Sequence, residues 1–184
     1  MAVACPNAVI YNDPEPKRRW FAVQVKARQE KLVQMQLQGK DHECFLPLYI
    51  TKKPGYDRIR QNEIPLFPGY LFCRLDPVKR LPVLTTPGVM KLVGVGREPV
   101  PVDDSEIAAI HRVLLSGLPA RPYPYQHQHL QVGQRVWIEH GPLAGLEGVI
   151  IRFKNCQRLI VSVTLLQRSV VVEIDNAVST CGLP

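Results

Sequence analysis

The fold of this chain is decided by the stretch Pro65-Leu66-Phe67-Pro68-Gly69-Tyr70-Leu71-Phe72. Proline cannot donate to a strand ladder, so the two prolines predict a kinked strand entrance, and the glycine relieves the backbone beside the second proline. Strand character resumes directly after the glycine. Alternation places Tyr70 and Phe72 on one face of this strand and Leu71 and Cys73 on the other. Because both faces are apolar, we expect helices to cover one face and a different element to cover the other.

The aromatic rings of Phe67, Tyr70 and Phe72 have two interpretations. On residue type alone, burial in the core is the commoner environment. A kinked strand entrance can also present rings outward, and outward rings on a folded protein usually mark a docking surface. The residue pattern leaves both interpretations open.

Length and charge restrict the class of protein. A chain of 184 residues can form one domain or two small ones. The formal net charge of +7 favours an anionic partner without naming it. Residues 1–115 carry 17 Lys/Arg against 12 Asp/Glu, whereas residues 116–184 carry 6 against 4. The N-terminal part is therefore the better candidate for contacting nucleic acid.

The cysteines are scattered and never form a Cys-x-x-Cys pair, which argues against a disulfide framework or a zinc site. They are Cys5, Cys44, Cys73, Cys156 and Cys181. This usage favours a reducing cytoplasm. No apolar run is long enough to span a membrane, so no membrane partner is expected.

The N-terminal part predicts an α+β domain over residues 19–116, after a proline- and charge-rich lead-in at residues 1–18 that we expect to be disordered. Strands are predicted at 20–25, 43–50, 70–75 and 89–95, and helices at 27–38, 77–84 and from 103 onward. The last helix begins with acidic capping residues and carries an apolar stripe of Ile107, Ile110 and Leu114. Residues 51–63 predict a loop or a short exposed hairpin. This order matches the split βαβ plan, an antiparallel sheet with helices.

The C-terminal part predicts a second, smaller domain. Residues 117–131 contain three prolines and a Gln-His-Gln-His run, which is typical of a semi-stiff linker. Within residues 132–180, short strands are predicted at 135–139, 148–153, 158–163 and 169–174, with glycine-rich turns after the first. Regular short strands of this kind favour a small all-β barrel.

Three motifs, taken in order, resemble the NusG family of bacterial transcription elongation factors. They are Phe67-Pro68-Gly69-Tyr70, Thr86-Pro87-Gly88-Val89 and Gly141-Pro142-Leu143-Ala144-Gly145-Leu146-Glu147-Gly148-Val149. The resemblance runs from about Trp20 to about Val178. It implies that the C-terminal domain is a KOW module with an SH3-like barrel.

Two further segments resemble the specialised UpxY-type antiterminators, of which RfaH is a more distant relative. The segments are Phe45-Leu46-Pro47-Leu48-Tyr49 and Leu165-Leu166-Gln167-Arg168-Ser169-Val170. Members of this type serve polysaccharide operons, so the resemblance implies antitermination of a long operon.

The sequence offers no convincing catalytic, cofactor or metal site. A phosphate-binding Gly-x-x-x-x-Gly-Lys-Ser/Thr loop and a His-Glu-x-x-His pattern are both absent. Gly94-Val95-Gly96 is more typical of a loop than of a dinucleotide fingerprint. The histidines His127, His129 and His140 are more typical of solvated positions than of metal ligands. His42 and Cys44 share a face if extended, but strand packing is the preferred interpretation. We therefore expect a protein that is not an enzyme and has no cofactor.

The resemblance implies one site in the N-terminal domain for RNA polymerase and one for DNA. The polymerase site would grip the clamp helices of the β′ subunit through Gln24, Phe67, Pro68, Tyr70 and Phe72. The nucleic-acid site would contact the non-template DNA strand, with basic residues neutralising phosphates and Gln29 reading a base edge. The resemblance supports Lys26, Arg28, Gln29 and Lys31 for this site, and the charge of the predicted loop or hairpin adds Lys52, Lys53, Arg58 and Arg60. A solvated basic surface is an equally good interpretation of these charges.

The resemblance also implies a partner for the barrel. In general NusG factors, phenylalanines of the barrel contact Rho or a small-subunit ribosomal protein, and the matching positions here are Leu143, Leu146 and Leu166. Leucine keeps apolar contact but loses ring area, which puts Rho stimulation in doubt. Packing within the barrel is the alternative interpretation of these leucines.

Together these observations predict a monomeric, non-enzymatic transcription elongation or antitermination factor. It would hold the polymerase clamp closed and bridge the DNA cleft, which favours the elongating state over the paused one. Two alternatives remain: a general NusG factor coupled to Rho or the ribosome, and a KOW-type RNA-binding module. The strand-rich run from Arg135 to Ile174 makes a helical alternative for the barrel unfavourable.

Overall fold

The computed structural model describes residues 18–54, 59–123, 134–139, 141–153, 156–174 and 180–182. Three α-helices lie among them: α1 (Glu30–Gln38), α2 (Leu81–Leu84) and α3 (Asp104–Leu115). The strands up to α3 are β1 (Arg19–Val25), β2 (Glu43–Phe45), β3 (Leu48–Pro54), β4 (Ile59–Pro65), β5 (Tyr70–Leu75), β6 (Val89–Leu92), β7 (Gly94–Val95), β8 (Glu98–Pro99) and β9 (Pro101–Val102). The later strands are β10 (Ala120–Tyr123), β11 (Gln134–Ile138), β12 (Glu147–Phe153), β13 (Cys156–Val163), β14 (Arg168–Ile174) and β15 (Thr180–Gly182).

The N-terminal sheet has the strand order β2-β5-β1-β6, with β9 also pairing with β1. All of these pairings are antiparallel. Since β1 and β2 are both antiparallel to β5, they run parallel to each other, with α1 joining them and β5 inserted between them. This is the predicted split βαβ arrangement, and the mixture of sheets and helices confirms an α+β architecture.

The two faces of β5 pack against different partners, as its double apolar pattern predicts. Leu71 and Cys73 belong to a cluster with residues of α1 and α2, including Val33 and Val83. Phe72, on the other face, belongs to a second cluster that contains residues of α3 and of the strands after α3. The different element that covers this second face is therefore α3 together with the C-terminal sheet.

Helix α3 begins where the acidic pattern predicts. The side chain of Asp103 accepts a hydrogen bond from the backbone N–H of Ser105 at 3.0 Å, which caps the helix. This hydrogen bond lowers the pKa of the Asp103 carboxyl, because it stabilises the ionised form. The predicted stripe is confirmed for Ile107 and Ile110, which are buried, whereas Leu114 is only partly buried.

The C-terminal sheet consists of six antiparallel strands in the order β10-β14-β13-β12-β11-β15. The four strands predicted from the sequence correspond to β11, β12, β13 and β14. Two were missed: β15 pairs with β11, and β10 pairs with β14 from Ala120↔Val172 to Tyr123↔Ser169. The predicted linker at 117–131 is therefore wrong for residues 120–123, which form an edge strand of this sheet.

Several boundaries differ from the prediction. Helix α2 begins at Leu81 and not at residue 77, and the predicted strand at 89–95 is divided into β6 and β7. Helix α1 begins at Glu30 and not at residue 27, because Arg28 has a φ of 65° that a right-handed helix cannot contain. The predicted strand at 43–50 is divided into β2 and β3, with the buried Pro47 between them. The predicted loop or hairpin is a long hairpin, in which β3 pairs with β4 from Leu48↔Pro65 to Pro54↔Ile59.

Some expectations fall outside the described residues. These include the lead-in through residue 17, the linker from residue 124 onward, and His127, His129 and His140. Within the described part of the chain, no helix is long and apolar enough to cross a membrane.

Candidate functional site

The five residues implied for polymerase binding lie together on one end of the N-terminal sheet, and we call them the aromatic patch: Gln24, Phe67, Pro68, Tyr70 and Phe72. Gln24 of β1 is directly opposite Tyr70 of β5. The Phe67 and Phe72 rings meet edge to face, with their centroids 5.8 Å apart. The expectation of outward rings is not met by these two phenylalanines, which are 1% and 0% exposed. Tyr70 is partly exposed and Pro68 is exposed.

A buried carboxylate holds the turn that presents the patch. Gly69 has a φ of 81°, and its backbone N–H donates to Oε1 of Glu30 at 2.9 Å. Glu30 is only 6% exposed, although it is the first residue of α1. The carbonyl of Gly69 accepts from the N–H of Val25 at 2.9 Å, which ties the turn to β1. Sequence reasoning missed Glu30, because nothing in its local pattern indicates burial.

The C-terminal sheet lies over the patch, and Arg168 at the start of β14 contacts it. Its guanidinium carbon is 5.0 Å from the centroid of the Tyr70 ring, within the range of a cation–π interaction. Its Nη1 is 3.5 Å from the carbonyl oxygen of Pro68, at the outer limit of a hydrogen bond. Arg168 therefore occupies the exposed side of the patch.

Two side chains of helix α3 make four more hydrogen bonds to the segments that connect strands of the C-terminal sheet. Oε1 of Glu106 accepts from the backbone N–H of Thr164 at 3.1 Å and from its hydroxyl at 2.6 Å. Nη1 of Arg112 donates to the carbonyls of Ala144 and Gly145 at 3.3 and 3.1 Å. A Cβ at Gly145 would lie 2.8 Å from that Nη1, so glycine permits the close approach. We call these contacts, together with those of Arg168, the docking contacts.

Of the three leucines implied as the partner site of the barrel, two lie in the interior. Leu143 and Leu146 are 1% and 2% exposed and belong to the cluster shared with the N-terminal sheet. Leu166 is partly buried and packs against the same cluster. This environment favours the packing interpretation in the docked arrangement.

The implied nucleic-acid residues lie on two neighbouring segments. Lys26 and Arg28 are exposed in the turn between β1 and α1. Lys31 forms an ion pair with Glu63 of β4, with Nζ and Oε2 2.7 Å apart, and so joins α1 to the hairpin. Gln29 is partly buried, and its Oε1 lies close to Gly88, where a Cβ would be 2.7 Å away.

The hairpin contributes the remaining basic positions, for which the structure gives only the backbone. Lys52 is opposite Gln61, and Lys53 is opposite Arg60. The side chains of Lys52, Lys53 and Arg60 lie outside the described part of the structure, as does the whole of Arg58.

No catalytic arrangement or metal site is found among the described residues. No group of three or more His, Cys, Asp or Glu side chains there could hold a metal ion. The pKa of His42 is lowered, chiefly by burial and then by the nearby charges of Arg18 and Lys40. The Sγ of Cys44 lies 3.6 Å from the Sγ of Cys73.

Comparison with known proteins identifies the class of protein to which this chain belongs. The family model described as transcription termination factor NusG matches residues 18–111, just over half of the chain. The chain therefore belongs to the NusG family of transcription termination and antitermination factors.

Individual relatives extend the similarity over most of the chain. The transcription termination/antitermination protein NusG of Thermus thermophilus is 29% identical over 178 residues, covering 85% of this chain and 94% of the relative. The protein of the same description from Synechocystis is 28% identical over 155 residues, covering 72% and 73%. A solved structure concerning domain interaction in Thermotoga maritima NusG is similar in fold, with a TM-score of 0.50, 24% identity, and 85% and 93% coverage.

Proposed function

We propose that this protein is a non-enzymatic elongation and antitermination factor whose aromatic patch binds the clamp helices of RNA polymerase. The proposal rests on the fact that the C-terminal sheet covers the aromatic patch. Its apolar face packs against a separate C-terminal sheet, and the polar contacts across the junction come from a few side chains. A polymerase helix pair offering apolar surface can replace that sheet, because both would bury the same rings.

In this proposal, the docked form, in which the C-terminal sheet covers the aromatic patch, cannot bind polymerase. Phe67 and Phe72 are buried, so an incoming helix reaches them only after the C-terminal sheet has moved away. Polymerase would then bind only the undocked molecules. The measured affinity would equal the intrinsic affinity multiplied by the fraction of molecules that are undocked. The free C-terminal sheet, which we propose to be the KOW module of the family, would be available for a second partner.

The test of this proposal is binding to core RNA polymerase in a background where the docking contacts are weakened. We would compare Arg168→Ala with the double variant Arg168→Ala/Tyr70→Ala, since both lack the stacking of Arg168 on Tyr70. Loss of a hot-spot ring should weaken binding by about 2 kcal/mol, or roughly 30-fold in Kd. Met90→Ala, which removes an exposed apolar side chain from β6 of the same sheet, is the matched control and should leave Kd unchanged. Equal affinities for the single and double variants, with intact folds, would remove Tyr70 from the site.

We further propose that Lys26 and Arg28, with the β3–β4 hairpin, contact the non-template DNA strand. The ion pair between Lys31 and Glu63 supports this, because it brings the basic turn and the hairpin onto one side of the molecule. Each phosphate neutralised on a single strand adds about 0.7 to the slope of log affinity against log salt. Replacing both Lys26 and Arg28 by alanine should therefore lower the slope by about 1.4.

Single-stranded DNA binding at a series of salt concentrations measures that slope. Lys79→Ala is the matched control, since Lys79 is an exposed lysine just before α2. A wild-type affinity that does not change with salt would contradict the phosphate contacts. An unchanged slope in the double variant would place them elsewhere.

The sharper proposal is antitermination on a specific long operon. Both segments that resemble the specialised antiterminators meet the aromatic patch: the Phe45 ring stacks on Phe72 with centroids 6.2 Å apart, and Arg168 stacks on Tyr70. A factor that is kept closed would act only where a DNA element recruits it. Readthrough of a terminator should then require a recruiting template for the wild type, and should depend less on that template for Arg168→Ala. Equal readthrough by the wild type on all templates would favour a general factor.

A further inference from the structure

Two thiols that lie far apart in the sequence meet on the N-terminal sheet. Cys44 of β2 is directly opposite Cys73 of β5 in the antiparallel register, although the two are 29 positions apart. Their Sγ atoms are 3.6 Å apart, and both thiols are free. Directly opposed residues of antiparallel strands have Cα atoms about 4.5–5.5 Å apart, which lies within the roughly 4.4–6.8 Å span of disulfides. A bond between these sulfurs therefore requires side-chain rotation and no change of strand register.

The two thiols differ in how a reagent can reach them. Cys73 is 0% exposed, with β2 on one side of its strand and β1 on the other. Cys44 is partly exposed on β2, which is the edge strand of the sheet. A small reagent in solution therefore meets Cys44 first and reaches Cys73 only through it.

The electrostatic environment gives the two thiols different roles. The pKa of Cys44 is lowered, because the thiol of Cys73 can donate a hydrogen bond to the Cys44 thiolate. The pKa of Cys73 is raised, first by the same hydrogen bond, which holds its proton, and then by burial. The thiolate is the nucleophile in disulfide exchange, so Cys44 is the attacking group and Cys73 the resolving one.

We propose that Cys44 and Cys73 form a dithiol modification site that a low-molecular-weight disulfide oxidises to an intramolecular disulfide. In the first step the Cys44 thiolate attacks one sulfur of glutathione disulfide, which forms a mixed disulfide and releases one glutathione thiolate. In the second step the Cys73 sulfur attacks Sγ of Cys44, and the second glutathione leaves with the proton that Cys73 loses. Two protein thiols are oxidised, and one glutathione disulfide is reduced to two glutathione thiols.

Tryptic peptide mapping of the full chain after treatment with glutathione disulfide tests this directly. Trypsin releases Cys44 in the peptide 41–52 and Cys73 in the peptide 61–74, and each peptide contains no other cysteine. We expect these two peptides to be joined, with a mass about 2 Da below their sum because two hydrogens are lost. Dithiothreitol should separate them.

Two variants distinguish the roles of the thiols. In Cys73→Ser, the mixed disulfide of Cys44 with glutathione should accumulate, because no resolving thiol follows. In Cys44→Ser, Cys73 should remain a free thiol, since glutathione disulfide cannot reach it. Circular dichroism would confirm that both variants are folded.

Three outcomes would overturn the proposal. The first is a wild type in which both peptides stay reduced. The second is a wild type in which Cys44 keeps glutathione while Cys73 stays free. The third is pairing of either thiol with Cys5, Cys156 or Cys181 instead. The test does not involve polymerase, so its failure is distinguishable from a failure of the proposed function.

Discussion

Replacing Arg168 by alanine should lower the free energy that favours the docked form over the undocked form, and the contacts of Arg168 give the size of this change. The guanidinium of Arg168 stacks on Tyr70 at 5.0 Å and is partly exposed, so we take the middle of the cation–π range, about 1 kcal/mol. The contact with the Pro68 carbonyl is at the 3.5 Å limit and adds little. A loss of about 1 kcal/mol changes the ratio of docked to undocked molecules about fivefold.

Two assays measure this change independently. Polymerase affinity should rise up to about fivefold in Arg168→Ala when the docked form predominates, because a larger fraction is competent to bind. Nuclear magnetic relaxation of backbone amides should show faster tumbling of the N-terminal sheet as the undocked fraction grows, without any polymerase present. Arg158→Ala is the matched control, because Arg158 lies in the same C-terminal sheet and pairs with Glu173 at 3.0 Å. It should leave both measurements unchanged.

The reasoning fails if Arg168→Ala leaves tumbling as it is in the wild type and binds polymerase no better. Faster tumbling without tighter binding would show that undocking occurs but that the aromatic patch is not the polymerase site. These two results separate the structural claim from the functional one.

Three further predictions concern stability. Gly88→Ala should destabilise the fold by about 2–4 kcal/mol, because the φ of Gly88 is 93° and a Cβ there would lie 2.7 Å from Val33. Gly96→Ala is the control and should cost only about 1 kcal/mol, because Gly96 has a φ of 61° but open space where the Cβ would be. Equal losses of stability for the two variants in thermal unfolding would contradict this. Phe72→Ala should cost about 3–5 kcal/mol in urea unfolding, since its ring is fully buried; a loss below about 1 kcal/mol would not fit that burial. Asp103→Ala should be less stable than the wild type at neutral pH. The difference should shrink as pH falls through the lowered pKa of Asp103, because the ionised carboxylate accepts the capping hydrogen bond more strongly than the protonated group does. Asp103→Asn keeps a capping oxygen and should be more stable than Asp103→Ala, and a difference between wild type and Asp103→Ala that grows as pH falls would contradict the cap.

The parts of the fold that the sequence predicts are those with strong local signals. Strand β5 has the predicted ends, because prolines precede it and its alternation is regular. Strand β10 was mistaken for linker, since Pro122 argues against a strand. Proline is acceptable at an edge, and β10 is the edge strand of the C-terminal sheet, with Pro122 opposite Val170. Edge position is a tertiary property that no local pattern contains.

The candidate site was predictable only in part for the same reason. The resemblance indicated the residues of the aromatic patch, and the structure brings them together. The burial of Phe67 and Phe72 depends on packing against α3 and the C-terminal strands, which meet these rings only after both sheets have formed. The contact between Cys44 and Cys73 depends on a strand register, which sequence spacing does not fix.

The connection after α3 limits where the C-terminal sheet can go once it has left the patch. Helix α3 ends at Leu115 and β10 begins at Ala120, so only residues 116–119 lie between them. Fully extended, this segment spans at most about 14 Å. In the undocked form that we propose, the C-terminal sheet would therefore stay within this reach of α3. Gly117, with a φ of 69° and no atom within 4 Å of the position that a Cβ would take, would be the pivot of that movement. Any molecule carried by that sheet would be delivered to the polymerase surface beside the end of α3, at a local concentration of roughly millimolar or above.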